Sequence, residues 1–378
     1  MITKNEILKS VEMILMVIAT MVVALVVATW VFMQQPQFGK APEGARLARM
    51  LQSPNYRNGA FQNRNHTPDL AEGVSYYKVI KDFIFGKSKR AAPATVLPGE
   101  KTDLKNLNPD EDIIVWFGHS SYFMQIGGKR ILVDPVFSGN ASPLSFTTRS
   151  FNGADIYTVD DMPAIDFLFI SHDHYDHLDY KTIKELQPKV KLVITGLGVG
   201  AHLEYWGYDT AQVKEMDWNE QLDLGNGFEV NTVSARHFSG RVFKRNGTLW
   251  TSFVFTTPFG RLFLGGDSGY DTHFAEIGEK FGPFDLVILE NGQYNESWKY
   301  IHMMPEQVVQ AAIDLKADKL FPVHWSKFTL SLHDWDEPIN RVLKESYKRN
   351  MPVMHPRIGQ AVNLADTLSH DRWWDGHK

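Results

Sequence analysis

The stretch Ile170-Ser171-His172-Asp173-His174-Tyr175-Asp176-His177-Leu178-Asp179 holds three histidines and two aspartates within six consecutive residues. It directly follows the largely apolar run 164–170, so we predict a buried strand with the polar cluster on the loop at its carboxyl end. Imidazole nitrogens and carboxylate oxygens together suit zinc or a similar divalent ion. The cluster has more ligands than one tetrahedral ion binds, and it therefore indicates two metal ions.

The alternative is a polar loop whose histidines only cap backbone groups. A metal site forms where several strand ends converge, so the metal interpretation requires ligand-type residues after other strands as well. His237, Asp267 and His324 each follow a short apolar run that is typical of a strand. Three such residues beside the cluster favour a metal site over a capping loop.

Composition limits the other possibilities. The chain has 378 residues, of which 43% are hydrophobic, and this suffices for one large core or two ordinary domains. A net charge of -5 argues against sequence-independent nucleic-acid binding, which needs a concentrated basic surface. There are no cysteines, so disulfides and thiolate metal sites are excluded and the redox compartment stays undetermined.

Short apolar strands and helical stretches alternate through the body. The runs 122–126 and 130–133 flank Gly127-Gly128 and predict a β-hairpin. We expect further strands at 113–117, 191–194, 228–233, 251–255, 261–264, 286–289 and 319–323, and helices at 181–186, 200–206 and 305–315. This order predicts a layered α/β or α+β body.

Residues 13–33 form an uninterrupted uncharged run that is long enough to cross a bilayer as a helix. Trp30 lies near its far end, where interfacial aromatic residues are common. A cleavable signal peptide and a buried globular helix are the competing interpretations. The length of the run and the lack of a small-x-small cleavage motif after it favour a membrane anchor.

Basic residues flank the anchor on both sides and nearly cancel as an orientation signal: Lys4 and Lys9 precede it, and Lys40, Arg46 and Arg49 follow it. The short leading tail favours a body outside the cytoplasm. We expect an anchor at 1–35, a wrapping linker at 36–107 with a helix at 75–85, a hydrolase domain at 108–360 and a tail at 361–378.

Seven motifs together resemble the metallo-β-lactamase superfamily: Trp116-Phe117-Gly118-His119-Ser120, Asp134-Pro135-Val136-Phe137-Ser138, the 172–179 loop, Asp217-Trp218, His237-Phe238-Ser239-Gly240-Arg241, Asp267-Ser268-Gly269-Tyr270 and His324-Trp325. They are most similar to the branch of N-acyl-phosphatidylethanolamine phospholipase D and, more distantly, of ascorbate-6-phosphate lactonases. The resemblance covers about 108–356. It implies an α/β fold, a four-layer αβ/βα sandwich, here with an N-terminal transmembrane helix.

The resemblance also implies a binuclear site with two zinc ions. It assigns His172, His174 and His237 to the first ion, Asp176, His177 and His324 to the second, and makes Asp267 the bridge. It further implies that Asp267 and His302 are the catalytic residues, with His302 in contact with the substrate. Tyr175 is a candidate hydrogen-bond donor to the substrate.

Other residues near these motifs have less certain roles. His119 and Asp134 are candidates for orienting the metal histidines, with ordinary turn residues as the alternative. Arg241 is a weaker candidate for anion binding, and a structural ion pair is the alternative. We expect Asp173 on the solvent side of the loop and Asp179 supporting the loop from behind.

The favoured function is a membrane-anchored dinuclear zinc hydrolase that cleaves a phospholipid phosphodiester by attack of a metal-bridged hydroxide. Its expected partners are a phospholipid or small phosphodiester and the membrane, but no nucleic acid. A lactonase or other carbonyl hydrolase is the main alternative, since the same hydroxide serves both. A non-catalytic membrane-tethered binding protein and a nuclease are less favoured. The oligomeric state is not specified by the sequence.

Overall fold

A computed structural model describes residues 3–366 and 371–377. The helices are α1 (Lys4–Phe32), α2 (Gly44–Gln52), α3 (Tyr76–Phe85), α4 (Tyr180–Leu186), α5 (Gly200–Tyr205), α6 (His273–Phe281), α7 (Pro305–Asp314) and α8 (Glu337–Arg349). The strands are β1 (Tyr56–Arg57), β2 (Ala60–Phe61), β3 (Ile113–Trp116), β4 (Tyr122–Ile126), β5 (Lys129–Val133), β6 (Ile165–Ile170), β7 (Val190–Gly196), β8 (Val213–Met216), β9 (Gln221–Gly225), β10 (Phe228–Val233), β11 (Ser252–Thr256), β12 (Arg261–Leu264), β13 (Leu286–Glu290), β14 (Leu320–Val323) and β15 (Ala361–Asn363).

Two mixed sheets form the centre of the body. The first has seven strands in the order β15-β3-β4-β5-β6-β7-β8, and the second has six in the order β14-β13-β12-β11-β10-β9. The strand β6 pairs in parallel with β5 and β7, so that Leu168 lies opposite Leu132 and Val193. All six residues of β6 are buried, which explains its continuous apolar sequence.

The inner faces of the two sheets pack directly on each other. Phe169 of β6 contacts Phe253 and Phe255 of β11, with ring centroids 5.0 and 5.1 Å apart. Aromatic rings of this size bury much apolar surface and supply much of the free energy that holds two sheets together. The register of β6 is therefore fixed, and with it the position of the loop that follows.

Helices cover the outer face of each sheet. Ile183 of α4 and Leu203 of α5 belong to the core behind the first sheet. Phe274 of α6, Val308 of α7 and Val342 of α8 belong to the core behind the second sheet. The body is therefore a four-layer αβ/βα sandwich, and the predicted fold class is confirmed.

The described residues after 360, namely 361–366 and 371–377, were expected to form a tail, but they pack as part of the body. The strand β15 pairs antiparallel with β3 at the edge of the first sheet. Trp373 and Trp374 are both buried, and their rings contact Trp325 with centroids 5.5 and 5.6 Å away. Trp325 directly follows a strand end that carries a predicted metal ligand, so this segment supports the site from behind.

The N-terminal segments lie outside the sandwich. The 29-residue helix α1 is long and apolar enough to cross a membrane, and none of its residues is buried against the body. The interpretation as a buried globular helix is therefore wrong. The linker carries the predicted helix α3 and also α2, which was not predicted, and Met50 of α2 packs with Phe61 and Trp250 in a satellite core.

Candidate metal centre

Loops after four strands bring the predicted metal ligands to one end of the sandwich. The 171–179 loop follows β6, His237 follows β10, Asp267 follows β12 and His324 follows β14. Both sheets contribute, because their strand ends converge there. Among the described residues, four overlapping groups of histidine and aspartate atoms each lie within 4.8 Å of one another, and together they include all seven predicted ligands.

Three histidines form the first side of this centre. Nδ1 of His174 lies 2.8 Å from Nε2 of His172 and 3.3 Å from Nε2 of His237. Oδ2 of Asp267 lies 3.9 and 3.7 Å from the same two Nε2 atoms. The four side chains thus surround one small volume, with a mixed nitrogen and oxygen donor set that suits Zn²⁺.

The second side lies across the Asp267 carboxylate. Oδ2 of Asp267 is 3.2 Å from Nε2 of His177, and Oδ1 is 3.2 Å from Nδ1 of His324. Nε2 of His177 is also 3.6 Å from Oδ2 of Asp176. Asp267 therefore faces both groups, which is the placement that a bridging carboxylate requires.

Two polar atoms of the centre test whether a cation fits. Nε2 of His177 and Oδ1 of Asp267 are buried, and neither makes a hydrogen bond to the described protein groups. Buried polar atoms normally have a hydrogen-bond partner, so two unpaired atoms side by side indicate a missing ligand. A cation between them would satisfy both, so the residues present fit a metal centre.

The electrostatics favour the same conclusion. Burial, together with the neighbouring imidazoles, holds the pKa of His172 well below its usual value, and burial does the same for His237 and His324. These side chains are therefore neutral, as ligands must be. Burial opposes ionisation of Asp267, but the neighbouring His177 outweighs burial and holds the pKa of Asp267 well below the usual range.

His177 differs from the other histidines. Burial lowers its pKa, but Asp267, Asp176 and Asp134 outweigh burial and raise the pKa of His177 well above its usual value. Three carboxylates thus favour positive charge at this imidazole. A metal ion would supply that compensating positive charge.

Buried partners fix the outward nitrogen of several metal histidines. Nδ1 of His177 donates to Oδ2 of Asp134 at 2.8 Å, and Nδ1 of His237 donates to the carbonyl of Ile301 at 2.9 Å. Each bond leaves Nε2 free to face the centre. Such bonds fix the orientation and tautomer of metal-binding histidines, and the geometry agrees with the orienting role predicted for Asp134.

His119 approaches the centre from the first sheet. Its Nε2 lies 2.8 Å from Oδ2 of Asp176, and its Nδ1 is buried without a hydrogen-bond partner among the described groups. His119, Asp134 and His324 all have left-handed backbone conformations, with φ of 51°, 41° and 67°. Non-glycine residues rarely adopt such φ values, and their concentration here is typical of a functional site.

Asp173 is buried, so its expected position on the solvent side of the loop is wrong. Its Oδ1 accepts a hydrogen bond from the backbone N–H of Gly240 at 2.7 Å, and its Oδ2 accepts one from Thr248 Oγ1 at 2.9 Å. Nε2 of His202 lies 3.3 Å away. The carboxylate therefore ties the metal loop to the loop after β10. Asp179 supports the loop from behind as expected, since it accepts a hydrogen bond from the N–H of Ser138 at 3.0 Å.

Arg241 also holds the metal loop and is not free to bind an anion. Its Nη1 donates to the carbonyls of Asp173 and Leu178 at 2.8 and 2.7 Å, and its Nη2 donates to the carbonyl of Gln37 at 2.7 Å. The partners are backbone carbonyls, so the structural ion pair considered from the sequence is not the contact that forms. The guanidinium joins the metal loop to the segment that follows α1.

Tyr175 is engaged in the same network. Its hydroxyl donates to the carbonyl of Arg241 at 2.6 Å, and the Arg241 guanidinium stacks on its ring at 4.2 Å. The hydroxyl is therefore occupied within the protein, whereas the ring lines the cavity beside the metal ligands. This geometry favours a packing contact with a substrate over a hydrogen bond.

A cavity of about 380 Å³ opens onto the centre. Its walls carry apolar and aromatic side chains in addition to the metal ligands: Leu70, Tyr76, Phe83, Phe238, Trp298, Ile301 and Leu330. Phe83 of α3 stacks on Trp298 at 5.6 Å, so the linker completes the wall. The sequence predicted only a wrapping linker with this helix, because nothing local specifies which surface the helix meets.

His302 lies in this cavity next to the centre. Its ring stacks on His324 at 5.3 Å and contacts His237 at 5.1 Å. Nδ1 of His302 is 3.6 Å from Oε2 of Glu290, a fully buried carboxylate at the end of β13. Burial raises the pKa of Glu290 to about 7. Glu290 was not predicted as a site residue, although a carboxylate at the end of an apolar strand was the sequence signal that could have indicated it.

A family model described as "Beta-lactamase superfamily domain" matches residues 129–325. The chain belongs to this superfamily, and it is a metal-dependent hydrolase of the metallo-β-lactamase fold. The predicted resemblance is confirmed. A novel metallo hydrolase from the archaeon Ignicoccus hospitalis, at 18% identity, has the same fold with a TM-score of 0.52 over 66% of this chain and 97% of that chain.

Curated sequence relatives are also similar to this chain. An uncharacterized protein of Mycobacterium tuberculosis is 37% identical over 327 residues, which cover 85% of this chain and 88% of the relative. The N-acyl-phosphatidylethanolamine-hydrolyzing phospholipase D 1 of Caenorhabditis elegans is 31% identical over 238 residues, which cover 58% of this chain and 65% of that protein.

From the buried contacts of the Asp173 carboxylate we predict an effect on metal binding. In Asp173→Asn, an amide group meets partners that are all donors, so the loop loses part of its support. Outer residues of this kind typically contribute about 10- to 100-fold to metal affinity, and we expect a loss of that size. The measurement is zinc affinity by competition with a chromophoric chelator. Asp160→Asn, at an exposed position, is the control; equal affinities for the two variants would contradict the supporting role.

Proposed function

We propose that the protein is a dinuclear zinc hydrolase that cleaves a phosphodiester bond of a phospholipid, of the N-acyl-phosphatidylethanolamine type. The single observation that carries the proposal is the apolar-walled cavity opening directly onto the metal centre. The named activity of the Caenorhabditis relative supports the choice of substrate.

The proposed ligands are those named from the sequence. His172, His174 and His237 would hold one ion, Asp176, His177 and His324 would hold the other, and the Asp267 carboxylate, which faces both groups, would be shared. When bound, the ions would lower the pKa of a water molecule and neutralise the charge that develops on the phosphoryl oxygens. The protein itself contributes fixed imidazoles, because their second nitrogens are held by neighbouring groups.

His302 is the proposed proton donor to the leaving group and the proposed contact to the substrate phosphate. It lies in the cavity beside both groups of ligands, and its Nδ1 is directed toward Glu290. Nε2 is therefore the nitrogen available to the substrate. A histidine with one nitrogen facing a buried carboxylate and the other facing the substrate is a common acid–base arrangement.

The cavity walls favour a lipid over a sugar lactone. Phe83, Trp298 and Ile301 present aromatic and aliphatic surface close to the ligands, which would bind the apolar part of a phospholipid. A small polar lactone would find few hydrogen-bond partners on these side chains. The metal chemistry is therefore compatible with a lactonase, but the apolar cavity walls favour a lipid substrate.

The apolar helix α1 is proposed as a membrane anchor that keeps the enzyme close to its lipid substrate. Its 29 residues span about 43 Å at 1.5 Å per residue, which exceeds the hydrocarbon thickness of a bilayer. A body outside the cytoplasm remains the orientation that we predict from the flanking sequence.

The direct test is turnover by the zinc-loaded protein. We expect release of phosphatidic acid from N-acyl phosphatidylethanolamine, because the centre and the apolar walls together suit this substrate. Activity should disappear on removal of the metal with a chelator and return when zinc is added. A sugar lactone assayed side by side serves as the comparison. Turnover of the lactone without turnover of any phosphodiester would contradict the proposal.

His302 gives a second test, separate from metal binding. His302→Ala should lower kcat about 100-fold, which is the lower end of the range for loss of a general acid. Both metal ions should remain bound, because His302 is not among the proposed ligands. The measurement combines steady-state kinetics with metal analysis, and His66→Ala, at an exposed histidine, is the control. An unchanged kcat would exclude the proposed role.

A further inference from the structure

The helix α3 exposes a line of large apolar side chains to solvent. Tyr77, Ile80 and Ile84 lie three and four residues apart and therefore share one face of the helix. Their exposed fractions are 77%, 58% and 64%, and Phe85 at the end of the helix is 81% exposed. Isolated exposed apolar residues are ordinary, but a continuous line of them normally has a function.

Two aromatic side chains beside this line reach the metal centre. Tyr76 and Phe83 line the cavity there, and Phe83 stacks on Trp298. A surface helix normally turns its apolar side chains toward the body, so an apolar face turned to solvent indicates that something else covers it. Within the described residues, no side chain of the protein buries that outer face.

A second exposed apolar group lies in a loop whose Arg245 lines the cavity. Val242 and Phe243 are 45% and 85% exposed, and they belong to the loop that carries Arg245. Arg245 forms an ion pair with Asp69 at 2.8 Å, and Asp69 accepts a hydrogen bond from the Tyr76 hydroxyl at 3.0 Å. These contacts hold the loop beside the first turn of α3.

We infer that the outer face of α3 and the tip of the 242–245 loop rest in the surface of a lipid bilayer, so that the cavity opens toward the lipid. This inference rests on the proposed membrane anchor and phospholipid substrate, and it names the surface that meets the membrane. The substrate then reaches the centre past α3 without passing through water.

The charge beside the outer face of α3 and the position of the cavity both favour a lipid bilayer as the partner that covers this face. Lys81 and Lys244 are exposed next to the apolar side chains, and Lys78 pairs with Asp82 at 2.6 Å. Exposed lysines beside an apolar face are the composition of an interfacial helix on anionic lipid. The end of α1 also lies near the wall of the metal cavity. Phe32 lines a second cavity with Phe146 and Tyr175, and Tyr175 also lines the metal cavity.

The absence of cysteine from the sequence allows a clean test. In the full chain, Ile80→Cys provides a single thiol for an environment-sensitive fluorophore. The labelled protein is reconstituted in phosphatidylcholine and phosphatidylglycerol vesicles that contain lipid with a spin label on the acyl chain. Glu111→Cys is the control, because Glu111 is exposed and precedes β3 at the end of the sheet opposite the metal centre.

We expect the label at 80 to emit at shorter wavelength and to be quenched several-fold more by the spin-labelled lipid than the label at 111. Ile84→Cys, on the same face, should behave like Ile80→Cys. Equal quenching at 80 and 111 overturns the inference. A wavelength shift without lipid quenching also overturns it, because a second copy of the chain would then cover the face. Neither readout depends on turnover, so a failure of the proposed activity can be distinguished from a failure of the proposed membrane contact.

Discussion

The buried carboxylates at the end of the sandwich require compensating positive charge between them. The groups that surround these carboxylates are arranged to hold a cation there. Asp134, Asp176 and Asp267 all lie within 4 Å of the imidazole of His177. Buried like charges are costly unless a cation compensates them. A pair of metal ions is the compensation that the donor atoms, their burial and their unpaired hydrogen-bonding positions all favour.

The site extends beyond the sandwich that carries the ligands. Arg241 joins the metal loop to the carbonyl of Gln37, and the backbone N–H of Lys40 donates to Nδ1 of His202 at 3.0 Å. His202 in turn lies against Asp173. The segment that follows α1 is therefore built into the support of the metal loop. The helix α3 similarly supplies one wall of the cavity, so both parts of the linker contribute to the site.

Much of the fold was predictable because its signals are local. The continuous apolar sequence of β6 and the ligand cluster after it depend only on neighbouring residues, and both are placed by the structure as expected. The convergence of His237, Asp267 and His324 was predictable because ligand-type residues followed strand-like runs. Asp173 was misplaced because its partners, Gly240 and Thr248, are far away in sequence. The same reason explains the missed roles of Glu290, α3 and the residues after 360, whose contacts only the tertiary structure reveals.

We propose that two metal ions share the Asp267 carboxylate. Anomalous X-ray scattering at the zinc absorption edge, from crystals of the zinc-loaded full chain, tests it most directly. We expect two peaks about 3.5–4 Å apart, one on each side of Asp267. One peak should lie among His172, His174 and His237, and the other among Asp176, His177 and His324. A single peak, or two peaks away from Asp267, would contradict the account.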